Sequence, residues 1–306
     1  MNISWLTLRD LQYLIAVADH EHFGKAAAAC NVSQPALSAQ IRKIEDVLGV
    51  QLFERTNRRV TITPSGKAVA DQARIVLEEA AKISGITRSA QEPLSGPLRL
   101  GAIATVGPYL LPHLLSPLRK AYPKLELFLR EGLTEQLLGE LRTGQLDAVI
   151  ASNTFVDSTL RVIPLFFEPF VLAAPRTHKL ATKEHVDRRD LNAERMLLLE
   201  DGHCLRDQTL DLCPANRRGH IRQFQATGLE TLRHLVATGS GYTLIPALAV
   251  SDDKMLKSLI CYRRFDDKAI GREIVLACRN RFGRMTDIDA LAHFIRNNLP
   301  REARKI

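Results

Sequence analysis

No apolar run of about 18 residues or more occurs in this 306-residue chain, so no segment is expected to cross a membrane. The opening residues, Met-Asn-Ile-Ser-Trp-Leu-Thr-Leu-Arg-Asp, lack a basic stretch followed by an apolar one. A secretory leader is therefore not expected, and the sequence reads as cytoplasmic. Cysteine is scarce and odd in number, with five at positions 30, 204, 213, 261 and 278. That count argues against a disulfide framework as the source of stability. No Gly-x-Gly-x-x-Gly follows an apolar strand, and Gly239-Ser240-Gly241 is too short and reads as a turn. Nucleophile elbows and metalloprotease helices are missing as well, so nothing points to an enzyme of those classes.

What is present suits two or three globular units with ordinary cores, at 45% hydrophobic residues. The net charge of +8 favours an anionic partner, but its distribution is uneven. Residues 1–92 carry 11 Lys+Arg against 10 Asp+Glu, residues 25–67 carry 7 against 3, and residues 261–306 carry 11 against 6. A nucleic-acid argument must therefore rest on a motif.

Such a motif lies near the start. Leu8, Leu11, Leu14, Ile15 and Ala18 recur at helical spacing, and Phe23 to Cys30 reads as a short Ala-rich helix. Asn31-Val32 is a turn, Ser33 an N-cap, Pro35 a first-turn residue and Gly49 a helix stop. Leu37, Ile41, Ile44 and Leu48 form the expected buried stripe, with Gln34, Pro35, Ser38 and Arg42 on an adjacent polar face. This is a helix-turn-helix pattern, in which Gln and Arg can pair with adenine and guanine edges in the major groove. Phe53 to Thr63 reads as a hairpin with Arg55, Asn57, Arg58 and Arg59 at its tip, a basic wing for phosphates or the minor groove. From Ser65 to about Ala90, Val69, Ala73, Val76, Ala80 and Ile83 make a coiled-coil seam, and Gln91-Glu-Pro-Leu-Ser-Gly-Pro breaks it.

The run from Phe23-Gly-Lys-Ala-Ala-Ala-Ala-Cys-Asn-Val-Ser-Gln-Pro through Leu52-Phe-Glu-Arg-Thr, with Thr63-Pro-Ser-Gly, resembles the LysR-type transcriptional regulators. The resemblance implies an α/β architecture in three parts. Residues 1–64 would be a winged helix-turn-helix with Ser33, Gln34, Pro35, Ser38, Arg42, Arg55 and Arg58 on DNA. Residues 65–92 would be a dimerising linker helix and hinge. Residues 93–306 would be a two-lobed regulatory domain similar to periplasmic binding proteins. Lobe I would take about 93–167 and 273–306, and lobe II about 168–272.

Independently, the C-terminal part shows alternating elements. Strand candidates are Leu98–Ile103, Leu125–Leu129, Ala148–Ala151, Phe170–Ala174, Met196–Leu199, Tyr242–Ile245 and Ile274–Ala277. Helix candidates are Tyr109–Tyr122, Thr134–Thr143, Leu229–Ala237 and Ile288–Asn298. That alternation predicts helices covering largely parallel sheets.

Within it, Gly202-His-Cys-Leu-Arg-Asp-Gln-Thr-Leu-Asp-Leu-Cys sets two thiols nine residues apart. If 204–212 is helical, its rise of about 13.5 Å far exceeds the roughly 4.4–6.8 Å between bridged Cα atoms. The pair is thus two unrelated thiols or a switch that refolds on closing. His203 if protonated, Arg206 and a helix N-terminus would favour a Cys204 thiolate, with Asp201 as helix cap. Asp207 would oppose them unless it orients Arg206. A zinc site from His203, Cys204, Cys213 and His220 is a further reading, though it lacks a short Cys-x-x-Cys pair. Cys30, Cys261 and Cys278 read as core.

Leu199-Glu-Asp-Gly-His-Cys-Leu-Arg-Asp-Gln, Thr105-Val-Gly-Pro-Tyr-Leu-Leu-Pro, Ala226-Thr-Gly-Leu-Glu-Thr-Leu-Arg and Gly239-Ser-Gly-Tyr-Thr-Leu-Ile-Pro resemble the peroxide-sensing members of the LysR family. The resemblance implies that Cys204 is the peroxidatic thiol and Cys213 its disulfide partner. It places Thr105, His203, Arg206, Asp207 and Arg272 around a peroxide pocket. It implies promoter DNA, hydrogen peroxide and RNA polymerase as partners, a homodimer or homotetramer, no cofactor, no metal, and control of catalase, peroxidase and thiol-repair genes. Gln223 departs from the family, which carries His there, as does the loop Pro214–Gly219 with Arg217 and Arg218. Two other readings stay open: a LysR-type sensor of a small anion held between the lobes near Thr105, and a thiol peroxidase.

Overall fold

Thr7 opens α1 (Leu8–His20) with a capping box: its hydroxyl accepts from the Asp10 N–H at 3.2 Å, and the Asp10 carboxylate accepts from the Thr7 N–H at 2.9 Å. The computed structural model describes residues 6–55, 60–88, 92–191, 196–213 and 225–306. The chain divides into two units. One comprises Met1–Glu92 with Arg142–Gln145 and Arg281–Arg284, and the other Pro93–Leu141, Leu146–Asn280 and Met285–Ile306.

In the first unit, His22 Nδ1 accepts from the leading amides of α2 (Phe23–Ala29). Ser33 caps α3 (Gln34–Leu48), Pro35 sits in its first turn, and Gly49 ends it in the left-handed region. Leu14, Val17, Phe23, Leu37, Ile41 and Ile44 form the core. Leu48 does not complete the predicted stripe and is 37% exposed. The chain turns away at Gly49, and Leu52 and Phe53 close that side of the core instead. Glu45 Oε1 accepts from the N–H groups of both residues, at 2.9 and 3.1 Å, tying β1 (Phe53–Arg55) to α3. β1 pairs antiparallel with β2 (Val60–Ile62). The predicted tip, with Asn57, Arg58 and Arg59, lies outside the described residues.

Thr63 starts α4 (Pro64–Arg88): its hydroxyl accepts from the Gly66 N–H at 2.9 Å and donates to the Gln51 carbonyl at 2.8 Å. A Cβ at Gly66 would stand 2.1 Å from the Leu52 oxygen, so only glycine fits. The predicted seam divides. Ala73 belongs to the core of this unit and Val69 packs against it, because α4 lies along α1, whereas Val76 is exposed. The side chain of Ile83 is outside the described set.

The second unit runs β3 (Gly96–Ile103), α5 (Gly107–Ala121), β4 (Leu125–Gly132), α6 (Thr134–Arg142), β5 (Ala148–Ser152), β6 (Leu160–Pro175), β7 (His185–Val186) and β8 (Leu198–Leu199). It continues through α7 (Cys204–Leu212), β9 (Gln225–Ala226), α8 (Leu229–Ala237), β10 (Thr243–Pro246), α9 (Lys254–Leu259), β11 (Ile260–Phe265), β12 (Gly271–Arg279) and α10 (Met285–Asn297). β3 pairs in parallel with β4 and β5. β7 with β11 and β8 with β9 are parallel as well, but the expectation of largely parallel sheets fails around β6 and β12: β12 pairs antiparallel with β5 and β6, and β10 and β11 pair antiparallel with β6. β6 is the common member, facing β12 over 160–169 and β10 and β11 over 170–175. Its first half was not visible in the sequence because Pro164, Glu168 and Pro169 interrupt the apolar run that signals a strand. Met196 forms only an isolated bridge, to Tyr242, so β8 begins later than predicted.

Candidate redox site and nucleic-acid interface

Three parallel strands end together. β3 leads into Thr105, β4 into Leu133, and β5 ends at Ser152. The Ala104 N–H donates to the Gly132 oxygen at 3.2 Å and closes the first two ends against each other. The carboxyl ends of parallel strands are where ligands gather in α/β folds.

α7 meets these ends. A Cβ on Gly202, whose φ is +93°, would lie 3.1 Å from Leu133 Cδ1. Gln208 Nε2 donates to Ser152 Oγ at 2.8 Å. Gln208 lies four residues after Cys204 and so on the same helix face. Its Oε1 is buried and has no hydrogen-bond partner among the described residues. Sequence reasoning missed Gln208 and Ser152, since neither residue type stands out in a polar helix or at the end of a buried strand.

Thr105 and Arg272 are brought together, and a third residue joins them. Arg272 Nη1 donates to Thr105 Oγ1 and Nη2 to the Thr105 carbonyl, both at 2.8 Å. Arg272 Nε donates to Glu168 at 2.9 Å, and both side chains of that ion pair are fully buried. Arg272 and Glu168 are direct cross-strand partners in the β12–β6 ladder, so backbone register delivers the pair. Burial pushes the Glu168 carboxyl up, against the lowering influence of Arg272 and of the Leu248 N–H. Removing one partner of such a pair leaves a buried charge and typically costs about 3–5 kcal/mol. Because Thr105 Oγ1 accepts from Arg272, its own proton remains for another acceptor. Glu168 had no sequence signal, as a lone Glu among apolar residues gives no hint of a partner 104 positions away.

The two thiols occupy opposite ends of α7. Cys204 is its half-buried first residue, while Cys213 follows its last residue, is 1% exposed, and donates Sγ–H to the Thr209 carbonyl at 3.9 Å. Nine helical residues rise about 13.5 Å. A disulfide within about 4.4–6.8 Å between Cα atoms therefore requires α7 to unwind.

The surroundings settle three conditional readings. His203 precedes α7, but burial holds its ring below the ordinary value, opposed by a hydrogen bond to the Thr227 backbone and by Glu200. The neutral imidazole is favoured over the imidazolium that would support a thiolate. Asp201 does not cap α7, which has no side-chain cap hydrogen bond. It pairs instead with Arg206, Nε to Oδ1 at 2.8 Å, while Arg206 Nη1 donates to the Leu199 carbonyl at 2.9 Å. Asp207 is exposed and is not the residue that orients Arg206.

Among the described residues no group of three or more His, Cys, Asp or Glu side chains could hold a metal. His220 of the zinc reading, Gln223 and the loop 214–219 with Arg217 and Arg218 lie outside the described residues. Cys261 and Cys278 are buried, and burial pushes Cys278 up to about 11. Cys30 is half-buried at the end of α2.

On the first unit, Ser33, Gln34, Pro35 and Arg42 are exposed and Ser38 is half-buried, all within α3 or at its cap. Arg55 stands on β1, its side chain outside the described set, and Arg58 is outside it altogether.

The LysR-family bacterial regulatory helix-turn-helix model matches residues 8–67, and the LysR substrate binding domain matches residues 91–300. The chain is 49% identical over 249 residues to the DNA-binding transcriptional dual regulator OxyR of Escherichia coli K12, covering 81% of this chain and 82% of that one. A full-length OxyR from Pseudomonas aeruginosa with a Cys-to-Asp substitution superposes with a TM-score of 0.86 at 39% identity, covering 98% of this chain and 97% of that one. A Corynebacterium glutamicum OxyR with a Cys-to-Ser substitution, solved with hydrogen peroxide bound, has a TM-score of 0.63 at 31% identity, covering 95% and 92%. The chain belongs to the LysR family of bacterial helix-turn-helix regulators and is similar along nearly its whole length to OxyR.

Proposed function

We propose that this chain is a peroxide-responsive transcriptional regulator in which oxidation of Cys204 and its closure onto Cys213 change the shape of the regulatory unit. The carrying observation is the placement of two thiols at opposite ends of one short helix, the first half-exposed and the second sealed in the core. The Cys204 thiolate attacks one oxygen of hydrogen peroxide. An S–O bond forms as the O–O bond breaks, and the second oxygen leaves as hydroxide and is protonated to water. The sulfur loses two electrons and the peroxide gains them. Cys213 then attacks the sulfenic sulfur, the S–S bond forms, and the hydroxyl departs as water with the Cys213 proton. Thr105, oriented by Arg272, offers its hydroxyl proton to the peroxide, and the unpartnered Oε1 of Gln208 accepts one from it. Arg206 lends positive charge, tempered by Asp201, while His203 and Asp207 shape the entrance.

Residues 1–64 place α3 in the major groove through Ser33, Gln34, Pro35, Ser38 and Arg42, with Arg55 and Arg58 on the backbone. Residues 65–92 join subunits into a dimer or tetramer, and the protein acts in the cytoplasm on promoter DNA together with RNA polymerase. Residues 93–306 carry the switch. A small-anion sensor is less well supported, because the Arg272 charge is already balanced by Glu168.

Disulfide mapping by mass after one equivalent of peroxide, paired with promoter binding, tests this. The expected product is a Cys204–Cys213 bridge and altered promoter binding. A bridge from Cys204 to Cys261 or Cys278, or binding indifferent to peroxide, would refute it.

A further inference from the structure

We propose that Arg188 is a positioning residue for the disulfide step, a clamp on the carboxyl end of α7 that stabilises the reduced form and must release before Cys213 can reach Cys204. The proposal rests on the peroxide-switch reading above.

The last carbonyls of a helix have no partner within it. α7 does not end in the left-handed turn that usually satisfies them. Its C-cap is Cys213, in extended conformation at φ −75° and ψ 137°. Arg188 meets this need from 24 residues away in sequence: its Nε donates to the Leu212 carbonyl at 2.7 Å, and its Nη2 donates to the Asp211 carbonyl. A fixed guanidinium also complements the negative end of the helix dipole. The Leu212 carbonyl is bonded directly to the Cys213 nitrogen, so the grip acts on the resolving cysteine's own peptide.

The clamp stands on a rigid base. Val186 and Leu191, on either side of Arg188, are fully buried in the hydrophobic core that also encloses Cys213. Between them, Asp187 and Asp190 form a capping box around a single helical turn, and Lys183 pairs with Asp190 at 2.6 Å. The neighbouring Arg189 is held locally by Asp187, Nε to Oδ1 at 3.0 Å. Of the two adjacent arginines, Arg189 pairs within its own turn and Arg188 crosses to α7.

Unwinding α7 moves Leu212 and breaks both Arg188 bonds. The clamp therefore weights the reduced form. Arg188 contacts the opposite end of α7 from Cys204, so oxidation of Cys204 by peroxide is independent of it.

The test uses the full chain as wild type, Arg188→Ala and Arg188→Lys. Sulfenic acid trapping with a 1,3-diketone reports the first step. Acid-quenched mass spectrometry reports the Cys204–Cys213 disulfide, and equilibration in glutathione buffers reports the potential. Arg188→Ala should trap sulfenic acid at the wild-type rate in the first seconds and close the disulfide several-fold faster. It should shift the glutathione equilibrium about threefold to tenfold toward the disulfide, which at tenfold is about 30 mV more negative for a two-electron couple. Arg188→Lys should recover only part of the shift, because it returns the charge without the two-pronged grip. Unchanged disulfide rate and potential in Arg188→Ala, or equal slowing of both steps with lower thermal stability, would overturn the clamp while leaving the switch intact. A wild type that forms no Cys204–Cys213 bridge would overturn the switch reading, and the clamp with it.

Discussion

Helices α3 and α7 are opposites in how their sequences define them. α3 has a serine cap, a first-turn proline, a left-handed glycine stop and three buried apolar residues at helical spacing. α7 has no side-chain N-cap, a cysteine in extended conformation at its end, and only Leu205 and Thr209 buried within it. Every local feature of α3 favours one conformation, as suits a rigid reading head. α7 depends on Ser152 and Arg188, distant in the chain, besides Asp201 just ahead of it, which pairs with Arg206. A helix held by such borrowed contacts can be given up when a covalent bond offers more, which is what a bistable switch needs.

The largest effect should come from separating the two outright. Cys204→Ser is expected to abolish peroxide-induced change in promoter binding while leaving operator affinity intact, because α3 does not depend on the thiol. Gel-shift titration with and without peroxide checks this, and a normal peroxide response in the variant would sink the sensor reading.

The converse break is Leu37→Ala, which empties a fully buried site in the first unit. It should cost about 2–5 kcal/mol of that unit's stability. Calorimetry should show this loss with the disulfide chemistry of the second unit unchanged, and joint failure of both would mean that the two regions are not separable.

A smaller effect sharpens what α3 does. Gln34→Ala should lose about 1–3 kcal/mol of discrimination between operator and scrambled DNA, whereas Arg58→Ala should weaken both and lower the salt slope by about one unit. Titrations at several salt concentrations separate the outcomes. Equal weakening on both DNAs by Gln34→Ala would show that this residue does not read bases.

The smallest effect concerns pH. Burial lowers the His203 ring below its ordinary value, so in that window the unfolded chain binds more protons than the folded one. The contribution to stability is full above about pH 6.5 and is lost as pH falls through the lowered value. Thermal midpoints of the wild type should therefore drop more steeply on acidification than those of His203→Gln. Parallel curves would place His203 in a solvent-like setting.

Much of this molecule was legible along the chain. The capped helices of the first unit follow from short-range rules: a side-chain oxygen three residues before an amide, a glycine where φ must be positive, an apolar residue each helical turn. Those rules act within a turn or two, so they survive in the linear order of residues. The neighbours of the thiols did not survive there. Glu168 meets Arg272 because two antiparallel strands align at that register, and Gln208 meets Ser152 because α7 lies at the carboxyl end of β5. The His203 ring is held toward its neutral form by burial, which no neighbour in the sequence announces. The order of residues along the chain was enough to mark the capped helices of the first unit and the two thiols of α7. Which buried charge is balanced by which was settled by the folded chain, because electrostatic pairing depends on distance in space and the register of long strands sets that distance.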